Sequence, residues 1–148
     1  MKKIERSRKV LNVTKDIDLK DLKSIYRNLM KDCHPDKFQD NEEEKVAAEK
    51  RSKVIIEAYH FLVSIAPETI EATLDQYNET IDMANIKDYQ YKNEMLSIEF
   101  TDGSNYEYFD VPKSIYVKLV NAPSQARFAK RHIYNSYTYR SASKLVSA

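Results

Sequence analysis

A histidine and an aspartate separated by one proline are the residues of this sequence best suited to binding a partner. They lie in the tetrapeptide His34-Pro35-Asp36-Lys37, which we call the His-Pro-Asp segment. His34 can supply a hydrogen-bond donor and Asp36 a carboxylate. Pro35 fixes its own φ angle, which stiffens the segment and lowers the entropy lost on binding. We therefore expect a docking site formed by His34, Pro35 and Asp36.

Catalysis is not predicted. The sequence shows no paired carboxylates for acid–base chemistry, no nucleophile beside a base and no glycine-rich phosphate loop. Its one cysteine and three histidines lack the spacing of metal ligands. We expect no catalytic residue, no metal and no cofactor. The unpaired Cys33 indicates a reducing compartment, so we expect a cytoplasmic protein, and no segment is apolar enough to make a membrane a partner.

A basic helix precedes the His-Pro-Asp segment. Apolar residues at helical spacing from Leu22 to Cys33 predict a helix over 18–33, which Pro35 ends. The opposite face carries a stripe of four basic side chains: Lys20, Lys23, Arg27 and Lys31. Charged faces are common on solvated helices, so this basic stripe alone indicates little. Beside the His-Pro-Asp segment, it favours a surface that attracts an acidic partner.

Two further helices are predicted around the basic helix. One begins at Asp40 or Asn41, runs to about residue 65 and carries an apolar stripe, so it should pack antiparallel against the basic helix. The other is short, over 5–11, and Asn12 can end it because asparagine tolerates left-handed geometry.

These features resemble the J-domain (DnaJ-like) family over residues 6–66. The matching segments are Val10-Leu11-Asn12-Val13, Ile25-Tyr26-Arg27-Asn28-Leu29, His34-Pro35-Asp36-Lys37 and Glu57-Ala58-Tyr59-His60-Phe61-Leu62. The resemblance implies that the basic helix and the His-Pro-Asp segment dock on a DnaK-type chaperone and trigger its ATP hydrolysis. The family often has a basic residue where Asp32 stands. Asp32 places a negative charge beside the docking segment, which implies docking that is weaker or tuned to one partner.

The next segment is acidic. Residues 67–83 have a narrow apolar stripe that predicts one further helix, with Pro67 in its first turn. The segment has five acidic residues and no basic one: Glu68, Glu71, Asp75, Glu79 and Asp82. We interpret 67–85 as a connector between two domains. A further hypothesis places these carboxylates against the basic C-terminal part of the chain, which they would mask.

A small antiparallel sheet with two helices is predicted for the rest of the chain. Strand patterns occur at 86–91, 96–100 and 105–109, helical patterns at 114–121 and 124–132, and a closing strand or extended tail at 134–139. Asp102-Gly103 is a strong hairpin signal, although a single glycine indicates few tight hairpins. A two-residue loop would put Tyr106 opposite Glu99, on the polar face. A three-residue loop would put it opposite Phe100, on the apolar face.

This part of the chain resembles the KTSC domain, a module found at the C-terminus of some lysyl-tRNA synthetases, over residues 86–139. The residues that carry the likeness are Phe100-Thr101-Asp102-Gly103, Tyr106, Tyr108, Val111-Pro112, Tyr116, Leu119, Ala122, Ser124, Phe128, Ile133, Tyr137 and Tyr139. The chain has no synthetase catalytic region, so the resemblance implies no aminoacylation. It suggests single-stranded RNA as a ligand.

Basic and aromatic residues of this part of the chain are candidates for contacts with single-stranded RNA. No acidic residue follows residue 110, whereas basic ones do: Lys113, Lys118, Arg127, Lys130, Arg131, Arg140 and Lys144. Three of these are our candidates for contacts to phosphates: Arg127, Lys130 and Arg131. Tyr106 and Tyr108 are the candidates for base stacking. Two interpretations compete with this one: the two tyrosines form the core of the sheet, or a protein ligand binds here.

The sequence thus predicts an α+β protein. A helical J-domain at 1–66 has an antiparallel helix pair and a short first helix, an acidic connector helix occupies 67–85, and a KTSC-like α+β domain occupies 86–148. The predicted function is that of a J-domain co-chaperone that stimulates ATP hydrolysis by a DnaK-type chaperone, targeted by the KTSC-like module. The alternative is an RNA-binding protein in which the J-domain is a degenerate scaffold, and that alternative predicts no stimulation.

Overall fold

The computed structural model describes residues 2–38 and 40–142. The chain divides into two compact units, Met1–Thr69 and Ile70–Ala148. The first unit is helical, and the second combines helices with a four-stranded antiparallel sheet. The fold is therefore α+β, as the sequence predicts.

Helix caps define the elements of the first unit. Its elements are α1 (Lys3–Leu11), α2 (Leu19–Cys33), a 3₁₀ turn (Pro35–Phe38) and α3 (Glu42–Ile65). Asn12 ends α1 in the left-handed region with φ 55°. Asp18 caps α2 by accepting the Asp21 N–H at 2.8 Å, and Asn41 caps α3 by accepting the Glu44 N–H at 3.1 Å. Side-chain acceptors of this kind satisfy amides that have no partner within the helix.

The apolar stripes of α1, α2 and α3 form the core of the first unit. Leu11 and Leu22 are each 2% exposed, and Ile55 is buried from the α3 side. Tyr26 of α2 stacks on Tyr59 of α3, with ring centroids 4.0 Å apart and an angle of 8° between the planes. Burying one such apolar side chain stabilises a fold by about 1.5–3 kcal/mol, so these contacts hold α2 against α3. The predicted helix pair is confirmed.

The acidic segment forms two helices where one was predicted. They are α4 (Pro67–Ala72) and α5 (Leu74–Met83). Thr73 separates them with a φ of −119° and a ψ of 16°, which lies outside the helical region. Tyr77 and Ile81 of α5 are buried in the core of the second unit. The apolar spacing continues across Thr73, so periodicity alone could not reveal the break.

The sheet of the second unit has the strand order β1-β2-β3-β4. The strands are β1 (Ile86–Lys92), β2 (Met95–Phe100), β3 (Asn105–Tyr108) and β4 (Tyr139–Ser141), and α6 (Lys113–Val120) and α7 (Gln125–His132) lie between β3 and β4 in the chain. Leu119 of α6 and Ala129 of α7 join Tyr77 in the core against β2 and β3. The closing strand expected at 134–139 begins only at Tyr139, because residues 133–136 form turns.

A tight hairpin without glycine joins β1 to β2. Its loop residues Asn93 and Glu94 have φ angles of 52° and 62°. Two consecutive positive φ values in a two-residue loop define a type I′ turn, which matches the twist of the flanking strands. This hairpin forms without glycine because asparagine and glutamate take positions that usually favour glycine.

The hairpin between β2 and β3 has a register that neither predicted loop gives. Tyr106 pairs with Ile98 and Tyr108 with Leu96. The loop has three residues, 101–103, and Gly103 provides the left-handed position with φ 90°. It begins one residue earlier than the predicted three-residue loop, which shifts the pairing while keeping both tyrosines on the apolar face.

Candidate docking site and basic C-terminal surface

The His-Pro-Asp segment follows α2 directly and is closed by its own hydrogen bonds. Cys33 is the last residue of α2, and His34 has an extended backbone with ψ 131°. The Lys37 N–H donates to the His34 carbonyl at 3.1 Å, and the Asp36 N–H donates to His34 Nδ1 at 3.3 Å. Pro35 opens the 3₁₀ turn. The segment therefore leaves the helix in one defined conformation.

The side chains of His34 and Asp36 are accessible to a partner. They are 52% and 76% exposed, and His34 Nδ1 lies 3.4 Å from a carboxylate oxygen of Asp36. Because Nδ1 faces Asp36, Nε2 is the imidazole nitrogen that remains to bind a partner. A donor and a carboxylate are thus presented side by side.

The basic stripe of α2 is exposed along its length. All four of its members are exposed: Lys20, Lys23, Arg27 and Lys31. Within the described ranges 2–38 and 40–142, none of them forms an ion pair. Asp32 is exposed next to Lys31. The stripe keeps its charge for a partner, and Asp32 reduces that charge near the His-Pro-Asp segment.

Glu68 has a position that the masking hypothesis did not foresee. Its carboxylate accepts the N–H of Leu19, the first residue of α2, at 2.9 Å. A negative charge at a helix N-terminus stabilises the helix by about 0.3–1 kcal/mol. Glu68 therefore supports the start of α2, and masking of the basic residues by Glu68 stays a prediction.

Tyr106 and Tyr108 cannot act as stacking platforms in this conformation. They are 4% and 0% exposed and form part of the sheet's core. The Tyr77 hydroxyl donates to the Tyr134 carbonyl at 2.7 Å and lies 2.9 Å from the Tyr108 hydroxyl. Because the only proton of Tyr77 is already used, Tyr108 donates the second bond. The competing interpretation of these tyrosines as core residues is the correct one.

The buried tyrosines resist ionisation. Burial raises the pKa of Tyr77 and that of Tyr108 far above the usual value. Burial, and to a smaller extent the nearby Tyr106, raises the pKa of Tyr139 to about 12. Tyr139 stacks on Tyr77, with ring centroids 3.8 Å apart. Removing a phenol from water disfavours its anion, which explains why the pKa is raised for all three tyrosines.

The basic cluster on α7 is partly neutralised. Arg127 and Arg131 are exposed one helical turn apart. Lys130 Nζ lies 3.5 Å from a carboxylate oxygen of Asp82 and donates to the Asp82 carbonyl at 3.2 Å. Asp82 thus engages one cation, as the masking hypothesis expects, and within the described residues it pairs with neither arginine. Lys144 lies outside the described residues.

A shallow cavity lies beside the Lys130–Asp82 pair. It has a volume of about 390 Å³ and six lining residues: Asn78, Ile81, Asp82, Lys130, Tyr134 and Asn135. Its size is in the range of small-molecule sites, and its rim is polar. The sequence analysis did not identify it, because its residues come from two helices and the turn after α7.

Asp102 ties the β2–β3 hairpin to α5. Its carboxylate accepts the Ser104 N–H at 2.9 Å and the Thr80 hydroxyl at 2.8 Å. Partial burial acts to raise the pKa of Asp102, but these hydrogen bonds outweigh it and leave the pKa below its usual value. The residue that signalled a turn in the sequence therefore also anchors the turn.

A second tyrosine group, which the sequence analysis missed, lies where β1 meets α6. Tyr91 stacks on Tyr116, with ring centroids 4.4 Å apart, and Tyr89 meets the edge of Tyr116. The Tyr91 hydroxyl donates to the Val111 carbonyl at 2.6 Å, and the Gln125 amide donates to the Tyr89 hydroxyl at 2.9 Å. All three rings are half-buried. The sequence feature that could have revealed this group is the tyrosine at alternate positions of β1, Tyr89 and Tyr91.

Residues 2–38 and 40–142 include no group of three or more His, Cys, Asp or Glu residues that could hold a metal ion. None of the helices in these ranges combines the length and the apolar character needed to cross a bilayer.

Comparison with known proteins identifies two family models. Residues 9–68 match the DnaJ domain, and residues 83–137 match the KTSC domain. A DnaJ domain supports, in general terms, a co-chaperone role with a DnaK-type partner. Both resemblances noted in the sequence are therefore confirmed.

The curated relatives are lysine–tRNA ligases. The protein from Trichormus variabilis is 39% identical over 56 residues, which are 36% of this chain and 10% of the ligase. The protein from Nostoc punctiforme is 41% identical over 51 residues, 34% of this chain and 9% of the ligase. The chain thus spans about a tenth of the length of these relatives. The shared region is KTSC-like and excludes the catalytic part of the ligases.

Proposed function

We propose that this protein stimulates ATP hydrolysis by a DnaK-type chaperone and that its KTSC-like unit selects where this activity is delivered. One observation carries the proposal: His34 and Asp36 are presented side by side, half or more exposed, at the end of an exposed basic helix. A docking surface needs such accessible, ordered polar groups. Cys33 is a buried free thiol, so we also propose the reducing cytoplasm as the location.

The basic stripe and the His-Pro-Asp segment divide the work of docking. The stripe acts at longer range, since the Debye length at physiological salt is about 8 Å, and it orients an acidic partner surface. His34 Nε2 and the Asp36 carboxylate then form short-range hydrogen bonds. Charges at the rim of an interface mainly change the association rate. Loss of a stripe cation should therefore weaken docking in a salt-dependent way, whereas loss of His34 should abolish stimulation.

Single-turnover ATP hydrolysis by the DnaK-type chaperone of the same cell tests this function. The wild-type protein should accelerate hydrolysis, and His34→Gln should remove the acceleration without lowering the melting temperature, because His34 lies in an exposed turn. Lys23→Ala should weaken stimulation most at low salt. Lys53→Ala is its matched control, because Lys53 is an exposed lysine of α3 and is not a member of the stripe. Equal stimulation by wild type and His34→Gln would refute the proposed function.

A second candidate function, binding of single-stranded RNA, is favoured by Arg127 and Arg131. Both arginines are exposed, and within the described residues neither forms an ion pair with an acidic side chain. The buried Tyr106 and Tyr108 contribute no stacking, so this candidate depends on phosphate contacts. If about three to five phosphates are contacted, log K should fall with log salt at a slope of roughly −2 to −3.5.

Fluorescent single-stranded RNA titrated into the full chain at several salt concentrations tests the second candidate. Replacing Arg127 and Arg131 together by glutamine should flatten the slope by about one to two units. Lys53→Gln, which changes an exposed cation of the first unit, should leave the slope unchanged. The absence of binding at low salt would exclude RNA and leave a protein ligand as the occupant of this surface.

A further inference from the structure

We propose that Ser52 is a positioning residue for the His-Pro-Asp segment: its hydroxyl holds the last carbonyl of α2 and so sets the direction in which the segment leaves the helix. Ser52 lies on α3 and is 6% exposed. This inference rests on the co-chaperone function proposed above, because it assigns Ser52 a part in docking.

A buried polar contact joins α3 to the final residue of α2. Ser52 Oγ donates to the Cys33 carbonyl at 3.1 Å. The Cys33 side chain is completely buried, and its Sγ lies 3.8 Å from Ser52 Oγ and donates to the Leu29 carbonyl at 3.1 Å. Two small polar side chains thus meet where α2 ends against α3.

The hydrogen bond from Ser52 to the Cys33 carbonyl affects the backbone of the His-Pro-Asp segment that follows. The last four carbonyls of an α-helix have no partner within the helix, and a buried one needs a donor from elsewhere. Ser52 supplies that donor for Cys33. The peptide unit is planar, so holding the Cys33 carbonyl also orients the N–H of His34. His34 in turn accepts the N–H groups of Asp36 and Lys37. The orientation set by Ser52 therefore passes to the whole segment.

Loss of the Ser52 hydroxyl should lower the fraction of molecules in which the segment is correctly oriented. The apparent affinity for a partner falls in proportion to that fraction, because only the competent conformation binds. Bound molecules all have the competent conformation, so the maximal stimulation at saturation should not change. A change in the half-saturating concentration at constant maximal rate is therefore the signature of a positioning role.

The variants to compare are Ser52→Ala, Ser52→Thr and Ser64→Ala in the full chain. Ser64 is the matched control, because it also lies on α3 and its hydroxyl donates to a backbone carbonyl, that of Phe61, at 2.6 Å. Two measurements are made on each variant: amide hydrogen exchange at Asp36 and Lys37, and the chaperone concentration dependence of single-turnover ATP hydrolysis.

Ser52→Ala should speed exchange at Asp36 and Lys37 by about three- to tenfold and raise the half-saturating concentration by a similar factor. Ser52→Thr, which keeps the hydroxyl, should restore both values, and Ser64→Ala should change neither. Equal effects of Ser52→Ala and Ser64→Ala would overturn the inference, as would a lowered maximal rate. If the wild-type protein stimulates no chaperone, the proposed function fails, and the exchange comparison still decides whether Ser52 positions the segment.

Discussion

Replacing Tyr77 by phenylalanine should destabilise the second unit strongly, because two buried groups lose their partner. The Tyr134 carbonyl loses its donor at 2.7 Å, and the Tyr108 hydroxyl loses its acceptor at 2.9 Å. Each buried polar group left without a partner costs about 1–3 kcal/mol, so the expected loss for the two groups is about 2–6 kcal/mol. In a unit of this size, 1 kcal/mol corresponds to about 4–8 °C, and the melting temperature should fall by roughly 10–50 °C.

Tyr139→Phe is the matched control for Tyr77→Phe. Its ring stacks on that of Tyr77, but its buried hydroxyl has no hydrogen-bond partner among the described residues. Removing that hydroxyl keeps the stack and eliminates an unsatisfied group, so stability should stay constant or rise by up to about 1 kcal/mol. Thermal unfolding of the full chain followed by near-UV circular dichroism reports on these tyrosines. Equal melting temperatures for the two variants would refute the assignment of the hydrogen bonds.

Three further predictions concern pH, docking charge and a turn. Burial favours the protonated form of Tyr139 in the folded state, where its pKa is about 12 against 10.0 for an exposed tyrosine. The free energy of unfolding should therefore be constant below about pH 10 and fall between pH 10 and 12. Unfolding followed by circular dichroism checks this prediction, and a constant free energy across that pH range would contradict it. Asp32→Lys should lower the half-saturating concentration for chaperone stimulation by about two- to fivefold at low salt, and an unchanged value would show that Asp32 does not oppose docking. Glu94→Gly should raise the free energy of unfolding, measured by urea denaturation, by about 0.5–1 kcal/mol, because a left-handed non-glycine residue is strained. A lower urea midpoint for the variant would show that the Glu94 side chain stabilises the turn by more than the strain costs.

Local chemistry made the first unit predictable from its sequence. Asp18 and Asn41 mark helix starts, Asn12 marks a helix end, and each apolar stripe has one period. The hairpins of the second unit were harder, because Asn93 and Glu94 adopt positive φ without any glycine signal. Side-chain packing decides such a turn, and packing depends on residues far away in the sequence.

The His-Pro-Asp segment could be identified from the sequence, but the residues that hold α2 and this segment in place could not. His34 and Asp36 are adjacent in the chain, so their type and spacing indicate a site. Ser52 is 19 residues away in sequence from the Cys33 carbonyl that it binds, and Glu68 is 49 residues away from the Leu19 N–H. A buried serine and a helix-capping glutamate have no sequence pattern that distinguishes them from other polar residues on amphipathic helices. Only the tertiary structure reveals their roles.

The position of Tyr77 at the centre of the second core has a consequence for folding kinetics. Its hydroxyl bonds to groups 31 and 57 residues later in the chain. In the first unit, the Ser52–Cys33 contact spans 19 residues and costs less closure entropy, although the Glu68–Leu19 contact spans 49 residues. Folding slows as the sequence separation of contacts grows, and helical packing forms faster than sheets that need distant residues. During refolding from denaturant, the first unit should therefore acquire its native contacts before the second unit does.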